Sequence, residues 1–312
     1  MTMIAKARLL GAGKIIGLDT KLFKLELAKE FGADMTIDIS RLSDDELVEY
    51  IRDETDLNKG LECVKKLGYT GVELSLLDSN KIDQKRWLTK LEELNLKVYT
   101  IATGQTYYTD GCSLYAEEKN KRAMAIERIK AHLDLAAQLS SMVIIGGIRG
   151  RTTGHGLMNK KIKESGKNAL MACVEYAEQK GTILLLEPIN RYETNIVNTM
   201  EEGLKLIAEI DSHYLKLLPD TFHMNIEERS IEESIVKAGS HIGYIHFADN
   251  NRLAPGWGHI DFSKIVSSLK QIKYKGPLGI EVLPQPDDFK AAEQAIHYIE
   301  MITRRSGNGD RL

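Results

Sequence analysis

Four polar residues in the second half of the chain have the types and the spacing expected of one metal site. They are Glu187, Asp220, His246 and Glu281, and each lies in or at the end of a short apolar run. Neighbouring members are about 30 residues apart, which is the length of a β/α repeat, and such repeats bring the carboxyl ends of their strands to one barrel mouth. Three carboxylates and an imidazole form a hard, mostly oxygen donor set that suits Mn²⁺, Mg²⁺ or Co²⁺. The sequence therefore predicts a metalloenzyme.

Alternating strands and helices are predicted from residue 57 onward, and they would position these four side chains. Strands are predicted at 71–76, 97–103, 142–148, 182–188, 215–221, 242–249 and 276–282. Helices are predicted at 57–67, 83–95, 119–139, 160–180, 200–210, 230–238, 261–272 and 288–304. Continuous apolar strands are typical of a sheet that is covered on both faces. The pattern predicts an α/β fold, with a (β/α)8 barrel over 57–305 and a flexible tail at 306–312.

Residues 1–56 have a different character from the barrel repeats. KIIGLD at 14–19, followed by KLELAKEFGA at 24–33, resembles part of the coenzyme domain of zinc-containing medium-chain alcohol or polyol dehydrogenases. The resemblance implies that Asp19 would hold a ribose. The segment is interpreted either as a Rossmann-like fragment or as a replaced first barrel unit.

The glycines of this segment do not favour coenzyme binding. Gly11 and Gly13 precede the predicted strand and Gly17 lies within it, whereas the phosphate-binding fingerprint follows a strand and opens a helix. No NAD is therefore expected. Because only seven barrel strands are predicted, we hypothesise that MTIDIS at 35–40 supplies the missing first strand.

Composition excludes several classes of function. The chain has 312 residues, a net charge of −3 and a sequence pI near 6.3, which gives no reason to expect a nucleic-acid partner. Its three cysteines are widely spaced, so a disulfide framework is not expected. No run is long enough to span a membrane, and the N-terminus is a poor signal peptide. A cytoplasmic location is expected.

Four motifs resemble those of the ketose 3-epimerase family, which includes D-tagatose and D-psicose 3-epimerases and belongs to the xylose-isomerase-like TIM barrels. The motifs are LEPINRYET at 186–194, DTFHMNIEE at 220–228, HFADNNRLAPGWGHIDF at 246–262 and GIEV at 279–282. Further segments are similar to a branch that acts on keto-sugar acids, such as 5-keto-L-gluconate epimerase. They are TGQT at 103–106, YTDG at 108–111 and VIIGGIRGR at 143–151.

The resemblance implies roles for individual residues. Glu187, Asp220, His246 and Glu281 would hold a divalent ion, usually Mn²⁺. Substrate contacts would be made by His223, Arg252 and Glu193, the first two near the carbonyl-side oxygen and the third near C1. A homo-oligomer is expected by analogy, with a small keto sugar or keto-sugar acid as the partner and no nucleic acid or membrane.

These residue types also permit a specific reaction. Epimerisation next to a carbonyl needs a base on one face of the carbon and an acid on the other, and a metal can stabilise the resulting cis-enediolate. Glu187 and Glu281 are predicted to fill the two proton-transfer roles. An aldose–ketose isomerase on the same scaffold is one alternative, and an inactive fusion with a disrupted barrel is another.

Two arginines follow the strand predicted at 142–148. Arg149 and Arg151 are therefore placed at the barrel mouth, where they would bind a carboxylate or phosphate on the substrate. The alternative is an exposed basic loop without a role in the site.

Several other polar residues receive weaker predictions. Tyr107, Tyr108 and Asp110 would either line the pocket or pack a loop, and His259 would either reach the pocket or shape its own loop. The remaining histidines are predicted to be surface or cap residues; these are His132, His155, His213, His241 and His297.

Overall fold

A computed structural model describes residues 16–19, 26, 35–38, 57–81, 84–153 and 156–305. It divides into two compact units, Met1–Leu61 and Glu62–Leu312. Three sequence predictions lie wholly or mostly outside the described residues. They concern the segment KLELAKEFGA at 24–33 (apart from Glu26), His155 and the tail at 306–312.

The first unit contains two short strands. They are β1 (Ile16–Asp19) and β2 (Met35–Asp38), which pair in parallel with Ile16 opposite Met35. Strands are therefore present where the sequence predicted them at 14–19 and 35–40. The dehydrogenase resemblance and the use of 35–40 as a barrel strand remain predictions.

The second unit continues the alternation of strand and helix. Its strands are β3 (Gly71–Ser75), β4 (Lys97–Ala102), β5 (Met142–Ile145), β6 (Leu184–Leu186), β7 (Leu215–Leu217), β8 (Ile245–Phe247) and β9 (Leu278–Ile280). The helices, the first of which begins before the unit boundary, are α1 (Leu57–Lys66), α2 (Gln84–Glu93), α3 (Gly104–Asp110), α4 (Lys119–Leu139), α5 (Gly156–Lys180), α6 (Met200–Ile210), α7 (Thr221–Glu227), α8 (Ile231–Ala238), α9 (Phe262–Gln271) and α10 (Asp288–Arg305). Each of the seven predicted barrel strands is present among the described residues.

The strands of this unit follow one another in chain order and are parallel. One sheet runs from β3 to β7, and a second pairs β8 with β9. Parallel bridges between Leu217 and Ile242 and between Asp220 and His246 connect the two sheets. Parallel neighbours with a helix in each crossover are the architecture of a TIM barrel, so the predicted fold class is confirmed.

The core lies in the barrel interior and between the strands and their helices. Ile101, Ile145, Leu184 and Phe247 have no exposed surface. Side chains of this size each contribute roughly 1.5–3 kcal/mol when fully buried, which is why the strands are apolar on both faces. Among the helices of the described residues, none combines the length and the apolar character needed to cross a bilayer.

Some helices differ from the sequence predictions. α5 begins at Gly156 rather than near 160, and the short helices α3 and α7 were not predicted. α7 follows directly from Asp220, whose side chain caps it by accepting from the backbone N–H groups of Phe222 and His223. The two unpredicted helices are only two turns long, which is too short for hydrophobic periodicity to reveal them.

Candidate metal and active site

The four predicted ligands converge at the carboxyl ends of the strands. Glu187 directly follows β6, His246 lies within β8 and Glu281 directly follows β9. One donor atom from each of these residues and from Asp220 lies within 4.8 Å of the others. Glu281 is the exposed member, and the other three are buried.

Two atoms of this cluster are buried without a hydrogen-bond partner among the described residues. They are Glu187 Oε1 and His246 Nδ1, which lie 3.6 Å from one another, and Nδ1 also lies 3.0 Å from the Glu281 carboxylate without hydrogen-bond geometry. Buried polar atoms are almost always paired, because leaving one unpaired costs about 1–3 kcal/mol. A divalent cation between the four side chains would satisfy both atoms at once. The donor set therefore fits a metal ion by its chemistry and by its unpaired atoms.

Local backbone features hold two of these carboxylates in place. A Cβ atom at Gly146 would collide with Glu187 Oε2, so a glycine after β5 leaves the space that the carboxylate occupies. Asp220 Oδ1 accepts the N–H of Phe222 at 2.8 Å, and Arg252 Nη1 donates to Asp220 Oδ2 at 2.7 Å. The side chain that caps α7 is thus also directed towards the cluster.

Glu73 completes the surroundings of His246, and the sequence analysis missed it. Its Oε2 lies 3.0 Å from His246 Nε2 and accepts from Thr100 Oγ1 at 2.5 Å. A carboxylate on one imidazole nitrogen orients the ring and leaves the other nitrogen for a metal. Glu73 lies inside β3, where a polar residue in an alternating strand is usually interpreted as facing solvent.

The two glutamates of the cluster have opposite pKa shifts. Burial raises the pKa of Glu187. Desolvation would also raise the pKa of Glu281, but the positive charges of His246 and Arg252 outweigh it and lower this pKa. Two carboxyl groups whose pKa values are driven apart are a common arrangement for an acid and a base.

The other two members of the cluster hold opposite charges. Burial would raise the pKa of Asp220, but Arg252 and the nearby histidines keep it well below its usual range. Burial would lower the pKa of His246, yet Glu73 and Glu281 outweigh this effect and raise it. The carboxylates around His246 thus favour positive charge at its position, as they would favour a cation among them.

A cavity of about 220 Å³ opens beside the cluster. Among its lining residues are Glu73, Gln105, Tyr108, Glu187, Glu193, His223, His246, Arg252 and Glu281. This volume is below the usual range for drug-sized ligands and suits a small molecule such as a monosaccharide. His223, Arg252 and Glu193, predicted to contact substrate, therefore lie with three of the four candidate ligands, Glu187, His246 and Glu281, around one space.

Arg252 connects two of the candidate ligands. Its Nη1 and Nη2 atoms donate to Asp220 Oδ2 and Glu281 Oε2, each at 2.7 Å, and its guanidinium lies 4.8 Å from the centre of the Phe222 ring. The loop that carries it is held by Asp249, whose carboxylate accepts four backbone N–H groups between residues 250 and 260. The guanidinium is thus fixed in position beside the cavity.

The structure corrects the role predicted for Arg149. This residue has no exposed surface, and its guanidinium donates to the carbonyl oxygens of Gly146, Glu187, Ile196 and Val197. Burial lowers its pKa to about 10, so it remains charged at neutral pH. Because its N–H groups are directed at backbone carbonyls and it does not line the cavity, Arg149 is not available to bind a substrate anion.

Arg151 is placed differently. Its side chain is exposed, and Nη1 lies 3.3 Å from the carbonyl oxygen of Tyr192. No carboxylate pairs with it among the described residues. It does not line the cavity, although Tyr192 precedes Glu193, which does. Its binding of a substrate anion remains a prediction.

The weaker predictions have mixed outcomes. Tyr108 lines the cavity, whereas Asp110 pairs with Arg128, and the backbone N–H of His259 binds Asn250 within its own loop. His132 is not a surface or cap residue: it is buried, and its Nδ1 lies 2.5 Å from Ser79 Oγ. A lone histidine on a helix gave no sign of this partner, which lies 53 residues earlier.

Comparisons with known proteins agree with this geometry. A family model described as a xylose isomerase-like TIM barrel matches residues 61–302. The chain belongs to this family. An L-ribulose 3-epimerase of Methylomonas sp. (strain DH-1) is 32% identical over 224 residues, which are 72% of this chain and 77% of the relative. A D-psicose 3-epimerase of Enterocloster bolteae is 31% identical over 236 residues, with 72% and 76% covered.

A solved structure is also similar to this chain over most of its length. The crystal structure of a D-allulose 3-epimerase from Methylomonas sp. superposes with a TM-score of 0.70 at 28% identity, covering 78% of this chain and 91% of that chain. These comparisons confirm the family resemblance, the barrel and the prediction that the chain is an enzyme.

Proposed function

We propose that this chain is a divalent-metal-dependent epimerase that inverts the carbon next to the carbonyl of a keto sugar or keto-sugar acid. The observation that carries the proposal is the convergence of Glu187, Asp220, His246 and Glu281, with two buried atoms of the cluster that have no hydrogen-bond partner among the described residues. The names of the relatives, which are ketose 3-epimerases, support the substrate class.

The four residues would hold the cation through one atom each. Mn²⁺ is the proposed ion, with Mg²⁺ and Co²⁺ as alternatives, because the donor set is mostly oxygen. When bound, the ion would supply several kcal/mol of stabilisation for negative charge that develops on the substrate oxygens. Glu73 would orient His246 so that its Nδ1 lone pair remains available to the site.

Glu187 and Glu281 would transfer the protons. One carboxylate takes the proton from the substrate carbon, and the electron pair of the broken C–H bond moves towards the carbonyl oxygen to give the cis-enediolate. The other, as a carboxylic acid, returns a proton to the opposite face of that carbon. The lowered pKa of Glu281 and the raised pKa of Glu187 support Glu281 as base and Glu187 as acid in one direction, with the roles exchanged in the other.

His223 and Arg252 would donate hydrogen bonds to the oxygen on which charge develops. Both line the cavity, and Arg252 is held in place by Asp220 and Glu281. Donors aimed at such an oxygen typically account for about 10²–10³ in rate. Glu193, which also lines the cavity, would bind hydroxyl groups at the substrate end near C1.

The experiment that tests this function follows isotope exchange. The Mn²⁺-loaded protein is incubated in D₂O with neutral keto sugars and with keto-sugar acids, and the products are followed by NMR. Deuterium at one carbon, with inversion there, is the expected result, and it disappears after chelation and returns with Mn²⁺. An aldose product would identify an isomerase instead. No exchange with any substrate would favour an inactive fusion.

Arg151 provides the test of substrate charge. It is exposed, contacts the carbonyl oxygen of Tyr192 next to cavity-lining Glu193, and has no carboxylate partner in the described part of the chain. If the substrate is a keto-sugar acid, Arg151→Gln is expected to raise the KM for that acid. The KM for a neutral keto sugar is expected to stay unchanged. Arg122→Gln on α4 is the matched control, because its guanidinium also donates to backbone carbonyl oxygens, those of Ala116 and Glu117, and does not line the cavity. Equal KM values for Arg151→Gln and the unsubstituted protein would remove Arg151 from the proposed site.

A further inference from the structure

The side chain of Asn190 contacts His223, and every polar group of its amide has a hydrogen-bond partner. It is 2% exposed. Its Nδ2 lies 2.8 Å from Glu193 Oε1 and 2.8 Å from His223 Nδ1, and its Oδ1 accepts the backbone N–H of Tyr192 at 3.0 Å. Both amide hydrogens and the amide oxygen therefore have a partner.

Two of these contacts fix which end of the amide faces His223. The carboxylate of Glu193 accepts hydrogen bonds, so it requires the NH₂ group on its side, and the N–H of Tyr192 requires the oxygen on the other. A flipped amide would place two oxygens together at 2.8 Å and two donors together at 3.0 Å. The NH₂ group therefore faces His223, independently of how the ring is protonated.

The orientation of the amide determines the tautomer of the ring. Since Asn190 presents a donor to His223 Nδ1, that nitrogen must accept, and in a neutral imidazole the proton is then on Nε2. Nε2 has no hydrogen-bond partner among the described residues, and His223 lines the cavity. We infer that Asn190 is a positioning residue that keeps His223 in the Nε2–H form, so that the ring presents a hydrogen-bond donor to the cavity.

The catalytic consequence of this tautomer rests on the proposed function. In the Nε2–H form, His223 stabilises negative charge on a substrate oxygen, whereas the other tautomer would direct a lone pair at the same oxygen and repel it. Asn190 supplies this control without a charge of its own. An aspartate at this position would instead accept from Nδ1, and the proton would move from Nε2 to Nδ1. Because this aspartate would also meet the Glu193 carboxylate, Asn190→Asp is made in a Glu193→Gln background in every measurement below, and its turnover is compared with that of Glu193→Gln alone.

The tautomer can be measured without any substrate. We propose ¹⁵N-histidine NMR on the Mg²⁺-loaded full chain at mildly alkaline pH, with the His223 signals assigned by their absence in His223→Gln. The expected result is a protonated Nε2 and an unprotonated Nδ1 in the unsubstituted protein, and the reverse in Asn190→Asp. A proton on Nδ1 in the unsubstituted protein, or an unchanged tautomer in Asn190→Asp, would overturn the inference.

Asn198→Asp is the matched control for structural damage. Asn198 is a nearby asparagine whose Nδ2 donates to the carbonyl oxygens of Ile189 and Thr194 and does not contact His223. It is expected to lower the melting temperature and to leave the His223 tautomer unchanged. A tautomer change in Asn198→Asp comparable with that in Asn190→Asp would show that general loosening of the loop, rather than the amide of Asn190, sets the proton.

Turnover provides the second measurement. Asn190→Asp is expected to lower kcat by about 10²-fold, as for loss of one donor to a developing oxyanion, with a smaller effect on KM. A tautomer change without loss of kcat would overturn the positioning role. If no sugar shows exchange with the unsubstituted protein, the proposed function fails, and the NMR result still decides whether Asn190 sets the tautomer.

Discussion

At the scale of single residues, the site depends on carboxylates whose surroundings differ. Glu187 is buried and its Oε1 has no hydrogen-bond partner among the described residues, whereas Glu281 is exposed and accepts from Arg252. The spacing of strand ends was sufficient to predict the four candidate ligands. It could not reveal Glu73, because a residue that supports a ligand from inside a strand follows no repeat.

Glu187→Gln and Glu281→Gln are each expected to abolish measurable epimerisation. General acid–base catalysis contributes roughly 10²–10⁴-fold, and the loss of a negative ligand weakens the metal site as well. The measurement is kcat/KM at saturating Mn²⁺, with Glu175→Gln on the exposed face of α5 as the matched control. Either site variant retaining turnover near that of the control would remove that glutamate from the proton-transfer step.

Glu73→Gln tests the support of His246. Because Gln keeps the shape but loses the charge that orients the imidazole, metal affinity is expected to fall by about 10–100-fold. Calorimetric titration with Mn²⁺ measures this change, with the exposed Glu92→Gln on α2 as the control. Identical affinities in Glu73→Gln and the control would mean that the contact between Glu73 and His246 does not support metal binding.

At the scale of elements, apolar runs were sufficient to predict every barrel strand among the described residues and most of the helices. The short helices α3 and α7 were missed, since two turns carry no clear periodicity. Arg149 was misinterpreted for a different reason. Its position after β5 was correctly predicted, but three of the four carbonyl oxygens that it contacts belong to Glu187, Ile196 and Val197, far along the chain. Sequence spacing does not encode such backbone contacts.

Arg149→Lys is expected to destabilise the barrel by at least about 2 kcal/mol, because one ammonium cannot satisfy the carbonyl groups that the planar guanidinium contacts. The change is measured as a lower urea midpoint, and the preference between acidic and neutral sugars is expected to stay constant. A selective loss of activity on acidic sugars, with stability unchanged, would restore Arg149 to a substrate-binding role.

At the scale of the whole molecule, acid stability is expected to depend on His132. Burial lowers its pKa from 6.5 to about 4. Between these values the unfolded chain binds a proton that the folded chain does not. The contribution of neutral His132 to the free energy of unfolding is therefore complete above pH 6.5 and is lost as the pH falls towards 4. The shift corresponds to about 3 kcal/mol at most.

The corresponding measurement is unfolding free energy against pH for the unsubstituted protein and His132→Asn. The variant is expected to lose less stability between pH 6.5 and 4 than the unsubstituted protein does. His297→Asn, on the exposed face of α10, is expected to show the same change of unfolding free energy with pH as the unsubstituted protein. Equal slopes in all three proteins would show that His132 does not control acid stability.

The central claim is that four side chains from successive barrel strands share one cation. Anomalous diffraction from Mn²⁺-soaked crystals tests it most directly. The expected result is one peak within direct bonding distance of an atom from each of Glu187, Asp220, His246 and Glu281, and no peak there in Asp220→Asn crystals. A manganese peak elsewhere, with none between these four residues, would contradict it.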